Sequence, residues 1–211
     1  MIELYAITDH PRPPLPGVVP LRAVSTRALT AVCAPASESE VTADSLWGYE
    51  RVVEALMDEC DLLPVRYGTR LPDEAAVAAV LEARYDQLRQ SLDFVRGGVE
   101  VSVRVASVAG QVLSSSEAHA GSGTDYLRAR AREVAVETDA AQVVHEPLSA
   151  LARAATIRPT SLPGEVLRAA YLVNQAELED FTALVRQLQD HNPTLRLTCT
   201  GPWPPYSFAQ P

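Results

Sequence analysis

The run Arg96-Gly97-Gly98-Val99-Glu100-Val101-Ser102-Val103-Arg104-Val105 divides the chain. Two glycines end a helical pattern, and a strict alternation begins behind them. Glycine stops a helix because it tolerates the left-handed backbone that a helix C-terminus adopts. The period of two puts the valines on one face of a strand and Glu100, Ser102 and Arg104 on a wet face. The segments before and after this run are therefore expected to be separate packing units, residues 1–97 and 98–200, each with its own core.

Upstream, Ile2 to Thr8 reads as a first strand. Pro11, Pro13, Pro14 and Pro16 make the next stretch a stiff extended loop. Leu21–Ser25 and Leu29–Ala34 form a hairpin around Thr26-Arg27-Ala28, and Ala36–Thr42 is polar loop. Asp44 or Ser45 caps a helix running to about Cys60, with Leu46, Tyr49, Val53, Leu56 and Cys60 on one buried stripe. Leu62–Gly68 is a short strand. From Pro72 a helix runs to about Arg96 on the stripe Val77, Leu81, Tyr85, Leu88, Leu92 and Val95. The order β, hairpin, α, β, α gives one α+β unit.

Downstream of the alternating strand, Gln111–Thr124 is rich in Ser and Gly. A helical pattern follows from Asp125 to about Glu146, where Pro147 kinks or stops it, with a last helical piece over Leu148–Ala155. Two strands, Ala155–Thr160 and Glu165–Val173, flank a Pro163-Gly164 turn. A helix over Glu177–Asp190 leads to a final strand, Leu195–Thr200, with Leu195, Leu197 and Cys199 inward. This is β-α-β-β-α-β, the ferredoxin-like order. The fold class is α+β: two domains, each a small mixed sheet with helices on one face, followed by an extended tail over 201–211 that is rich in Pro and aromatics and favours polyproline-like backbone.

Composition narrows the function. The 211 residues are 47% hydrophobic and 21% charged, an ordinary globular balance. The net charge of −9 argues against nucleic acid as the main partner, since phosphate binding needs a basic surface. All 18 cations are Arg, which removes Walker-lysine, Schiff-base and lysine-bound pyridoxal phosphate chemistry. No apolar run is long enough to span a bilayer, and the start of the chain does not read as a signal peptide. Cys33, Cys60 and Cys199 are far apart among apolar residues, so they read as reduced, buried cysteines of a cytoplasmic protein.

Catalytic and ligand motifs are missing. There is no G-x-S-x-G, H-E-x-x-H, C-x-x-C, G-x-G-x-x-G or P-loop, and Gly121-Ser122-Gly123 lacks the context of a nucleotide loop. His10, His119, His145 and His191 share no metal-ligand spacing. The acids around Glu177 and around Asp58 read as exposed helix faces. No catalytic, cofactor or metal residue is assigned, and an enzyme acting through scattered carboxylates or Cys60 is the weakest reading.

Two segments ask for more than a bland explanation. Arg66, within Leu62-Leu63-Pro64-Val65-Arg66-Tyr67-Gly68-Thr69, needs a carboxylate or carbonyl partner if it lies inside an apolar strand; otherwise it lies on a contact surface. Trp203, Pro204, Pro205, Tyr206 and Phe208 close the chain. Their aromatics pack back across a groove between the domains, or the tail is a docking element whose prolines lower the cost of ordering. Arg66, Tyr67, Trp203, Pro204, Pro205, Tyr206 and Phe208 are accordingly the candidate protein-contact or interdomain residues.

These two segments also carry a resemblance. Leu63-Pro64-Val65-Arg66-Tyr67-Gly68-Thr69 and Gly201-Pro202-Trp203-Pro204-Pro205-Tyr206-Ser207-Phe208 resemble gas vesicle accessory proteins of the GvpF/GvpL family. Arg96–Val103, Gly123–Arg130 and Ala170–Val173 agree in the same order, so the similarity spans nearly the whole chain. One departure is the absence of the family's early histidine in the first long helix, about where Trp47-Gly48-Tyr49-Glu50 stands.

The resemblance implies two α+β domains, the first ferredoxin-like, and a non-enzymatic role without a cofactor. It implies a cytoplasmic, vesicle-associated accessory or minor structural protein that binds the small hydrophobic shell protein and other accessory proteins during assembly. An acidic, Lys-free exterior suits a partner that shelters apolar surface. The alternative is a ferredoxin-like small-molecule-sensing module with a closed polar pocket.

Overall fold

The computed structural model describes residues 1–13, 17, 19–36, 42–108, 141–160, 162 and 164–209. Gln111–Thr124, the start of the helix from Asp125, His119, Gly121-Ser122-Gly123, most of Ala36–Thr42, and Pro163 of the Pro-Gly turn lie outside the described residues. The architecture is mixed α+β with two sheets. The chain resolves into two compact units, Met1–Glu100 with Pro202–Pro211, and Val101–Gly201.

In the first unit, β1 (Ile2–Thr8), β2 (Arg22–Thr26), β3 (Leu29–Pro35), β4 (Leu63–Pro64) and β5 (Arg70–Leu71) form one sheet in the order β2-β3-β1-β4, with β5 also on β1. All its registered pairs are antiparallel. β1 and β3 are buried on both faces, so their side chains do not alternate between wet and dry. A bulge lies between Leu4 and Ala6, so Tyr5 has no partner on β3. Its carbonyl instead accepts the Val65 N–H at 2.9 Å.

The sheet is packed by α1 (Ala43–Met57), α2 (Glu74–Ala83) and α3 (Tyr85–Val95). Thr42, not Asp44 or Ser45, caps α1. Its Oγ1 accepts the Ser45 N–H while Ser45 Oγ accepts the Thr42 N–H, a reciprocal capping box. α1 ends at Met57 rather than Cys60, and its buried residues are Tyr49, Val52, Val53 and Leu56. Leu46 is on the outside.

The helix expected from Pro72 to Arg96 is broken at Arg84, whose backbone (φ −113°, ψ 18°) is not helical. Hydrogen bonds from Arg84 to Val80 and from Leu88 to Arg84 bridge the joint. The apolar stripe therefore continues, and Val77, Leu81, Leu88, Leu92 and Val95 are all buried. Asp73, rather than Pro72, starts the first piece by accepting the Ala76 N–H at 2.8 Å.

The expected strand Leu62–Gly68 is only two residues long. After Pro64 the chain leaves β1 in a turn at 66–69 closed by Thr69 N–H to Arg66 O at 3.1 Å. Gly68 supplies the φ of 81° that the turn needs. β5 then rejoins β1, with Glu3 opposite Arg70.

The second sheet, β6 (Gly98–Ser107), β7 (Ala154–Ile157), β8 (Glu165–Asn174) and β9 (Leu195–Trp203), is ordered β7-β8-β6-β9; the start of β6, to Glu100, and the end of β9, from Pro202, count with the first unit. α4 (described over 141–151) and α5 (Leu178–His191) supply the helices. The core packs Val101, Val103 and Val105 of β6 against Val144 and Leu148 of α4 and Phe181 of α5. Tyr171 is fully buried against Phe181, ring centroids 5.3 Å apart, and its hydroxyl lies 2.9 Å from His145 Nδ1.

The helix continues through Pro147, which removes a hydrogen bond to Val143. Val143 is half exposed, and water can hydrate its freed carbonyl. β7 stops at Ile157, before Pro159. β9 runs three residues longer than expected and takes in Gly201-Pro202-Trp203. Of the cysteines expected inside, only Cys33 is buried; Cys60 is half-buried, and Cys199 is exposed rather than inward.

The glycine turn that divides the sequence is fastened by charge. Asp9 accepts Arg89 Nη1 at 2.8 Å and Arg96 Nη2 at 2.7 Å. Asp61 accepts Arg96 Nη1 at 3.3 Å and the Gly97 N–H at 2.6 Å. Asp93 completes the cluster with both arginines. Burial raises the Asp9 carboxyl's affinity for its proton, but Arg96 and then Arg89 more than offset this, and its pKa falls below the ordinary 3.8.

A carboxyl lowered by folding contributes stability that is present above its unfolded pKa and lost as pH falls through the folded one. Asp9→Asn is expected to cost about 1–2 kcal/mol at neutral pH, a figure reduced because both arginines are partly exposed. The gap to the parent should close below pH 3.8 in denaturant titrations. A gap independent of pH would contradict this role.

Candidate partner-contact site

The first unit holds a tyrosine cluster built on the β1 bulge. Tyr5 and Tyr49 stack with centroids 4.5 Å apart, and Tyr67 meets Tyr49 edge-on at 5.1 Å. The fully buried Tyr49 hydroxyl lies 2.8 Å from Leu4 O and 2.5 Å from Val65 O. A side chain of α1 thus bonds to the backbone where the β1–β4 pairing is irregular. Tyr67 donates to Ser45 Oγ at 3.0 Å, which ties the 66–69 turn to the cap of α1.

The chain's end closes over this cluster. Tyr206 packs against it and reaches Glu50 Oε2 at 3.2 Å. Ser207 delivers two hydrogen bonds to one carboxylate: its N–H to Glu100 Oε2 at 2.7 Å and its hydroxyl to Glu100 Oε1 at 2.6 Å. Glu100, expected on a wet face, is only 6% exposed. A buried carboxylate is costly unless hydrogen-bonded, and Ser207 supplies that bonding.

Pro204, Pro205, Phe208 and Ala209 are buried. The tail is not polyproline-like throughout: after β9 it folds into a turn, with the Phe208 and Ala209 N–H groups bonded to Pro205 O at 3.1 and 2.8 Å.

Burial, with added repulsion from neighbouring acids and phenols, pushes the Tyr49 and Tyr206 hydroxyls well above their ordinary pKa. Burial also raises Glu50, against the opposing Tyr206 hydrogen bond. Phenols held this firmly protonated are donors and packing surface rather than proton-transfer groups at neutral pH. Among the described residues, no group of three or more His, Cys, Asp or Glu could hold a metal ion, and no helix is long and apolar enough to cross a membrane.

The candidate residues divide into two sets. Tyr67, Pro204, Pro205, Tyr206 and Phe208 are wholly or partly buried in the first unit. Arg66 and Trp203 are exposed. Arg66 needs no internal partner because the turn made by Gly68 lifts it out of the strand. Further exposed apolar surface lies on α1, where Trp47 is 62% exposed and Leu46 41%, and at the end of β9, where Trp203 is 39% exposed. Trp47 stands three residues before Glu50, so it shares the side of α1 that Tyr206 reaches.

Sequence reading missed Glu50, Glu100 and Ser207. Only an acid between two valines, Val99-Glu100-Val101, hinted at the buried carboxylate.

The model of the family described as gas vesicle synthesis protein GvpL/GvpF matches residues 3–210. The chain belongs to this family. It is 36% identical over 186 residues to gas vesicle protein L of Streptomyces sp. (strain CB03234), covering 79% of this chain and 69% of that protein. It is 29% identical to gas vesicle protein F of the same organism, covering 98% of each. The crystal structure of GvpF from Anabaena sp. PCC7120 superposes with a TM-score of 0.85 at 21% identity, covering all of this chain and 96% of that one. GvpF from Microcystis aeruginosa gives a TM-score of 0.80 at 20% identity, with 100% and 99% covered. The family is one of gas vesicle accessory or structural proteins.

Tyr49→Phe removes the hydroxyl and keeps the stacked ring. It is expected to destabilise the protein by about 1–3 kcal/mol, because the one buried O–H that the Leu4 and Val65 carbonyls share is lost. A change of only a few tenths in equilibrium unfolding would mean that the hydroxyl does not hold the bulge.

Proposed function

We propose that this gas vesicle protein works in the cytoplasm during vesicle assembly, by binding the small hydrophobic shell protein and other gas vesicle accessory proteins. The observation that carries this reading is the outside of the first unit. Trp47 and Leu46 are exposed on a helix whose inner side is locked by Tyr49, Glu50 and the capping box, and Trp203 is exposed where the tail begins. Rigid aromatic side chains give contact area at little entropic cost. Arg66, held out on its turn, supplies a polar rim to the same contact.

Tyr67, Pro204, Pro205, Tyr206 and Phe208 act beneath that surface, as the packed layer that keeps it in shape. We also read the chain as two domains, 1–97 and 98–200, with 201–211 as the segment that closes the first. The compact units support this division. The strand order β7-β8-β6-β9, with a helix after the first and third strands of the unit, supports reading the second domain as ferredoxin-like.

The test is co-purification with the shell protein. The double variant Trp47→Ala/Trp203→Ala is expected to lose at least tenfold in binding, the scale of a central aromatic contact. Its melting temperature should stay within about 2 °C of the parent, since both side chains are exposed. Full binding by this variant would overturn the assignment of the surface.

A further inference from the structure

In a chain of net charge −9, three arginines of the second unit come together. Arg104, Arg158 and Arg168 line one open cavity of about 130 Å³, together with Ser102 and Thr200. Among the described residues, none that lines it is acidic. The three arginines come from neighbouring strands: Arg104 from β6, Arg168 from β8, and Arg158 one residue beyond β7.

The register explains why they meet. Ile157 pairs with Ala169, so Arg158 falls opposite Arg168, and its N–H donates to the Arg168 carbonyl at 2.7 Å. Ser102 and Arg104 alternate with Val101, Val103 and Val105, and Arg168 lies between Leu167 and Ala169. Because those apolar residues fill the core, the arginines project from the other face of the sheet.

Like charges directly opposite each other on neighbouring strands repel. Arg158 and Arg168 have other interactions within the chain, yet the space they share with Arg104 lies open. Guanidinium forks and hydroxyls at its wall are donors that match an oxyanion, and the fork suits carboxylate and phosphate alike. The volume is well below the ~300–1,000 Å³ of sites for larger ligands, which fits a single anionic group rather than a whole nucleotide.

We propose that this cavity is an oxyanion site that takes the phosphate or carboxylate group of a ligand. The inference is independent of how the first unit contacts its partners.

The full chain is titrated with inorganic phosphate and, separately, with succinate, at about 150 mM salt so that diffuse attraction is screened. Binding is followed by calorimetry and by the arginine Nε–H resonances. Saturable binding in at least one arm is expected, with the Arg104 resonance shifting. The tighter arm tells whether the natural group is a phosphate or a carboxylate.

Arg104→Gln should weaken binding about tenfold or more, the scale of losing a charge-assisted pair. Arg104→Lys should weaken it less, since it keeps the charge and loses only the fork. Arg51→Gln on α1 should bind like the parent. Two results would overturn the site: no saturation in either arm up to about 20 mM, a range that would reveal even millimolar affinity, or an Arg104→Gln variant that titrates like the parent. Arg104 is exposed, so these variants are expected to fold, and an unchanged melt checks it.

Discussion

One phenol proton organises the first unit. A bulge interrupts β1 at Tyr5, and β4 ends at Pro64, one residue before Val65. An unpaired buried carbonyl costs about 1–3 kcal/mol. Tyr49 bonds to the Leu4 and Val65 carbonyls from α1, and its ring fills the space between Tyr5 and Tyr67. A helix bonded to the sheet through its side chain cannot slide along it. The outer side of α1, with Trp47 and Leu46, is thereby fixed to the sheet, and so is Glu50, which receives the tail.

Polar ties then do what a larger apolar core would otherwise have to do. Ser207 satisfies Glu100 across 107 residues, and Tyr206 reaches Glu50 across 156. Asp9, Asp61, Asp93, Arg89 and Arg96 gather one end of β1, the loop after α1 and the end of α3 around Gly97. Arginine suits such places, because one planar fork serves several carboxylates at once. Arg96, whose pKa is raised by its hydrogen bonds to Asp9 and Asp93, keeps its charge throughout.

Local periodicity made most elements legible. The alternation after Gly98, the stripe Leu88-Leu92-Val95 and the hairpin at 22–35 are properties of neighbouring residues, and they appear where the pattern puts them. The misses come from long-range pairing. Nothing near Arg84 marks a break, since neither Gly nor Pro stands there. Gly68 was visible, but not that its turn would free Arg66. The wet-face reading of Glu100 failed because the residue covering it lies at the other end of the chain. Arg104, Arg158 and Arg168 look unrelated until strand register aligns them. Tyr67 and the tail aromatics are candidates for either partner contact or interdomain packing; Tyr67, Tyr206 and Phe208 are interior or half-interior, while Trp203 is exposed.

The proposed contact surface is the exposed side of the first unit. Hydrogen–deuterium exchange of the full chain, with and without the shell protein, tests it most directly. Slowed exchange confined to the start of α1, the 66–69 turn and the end of β9 is the predicted result. Protection confined to the second unit, with those three segments unchanged, would contradict it.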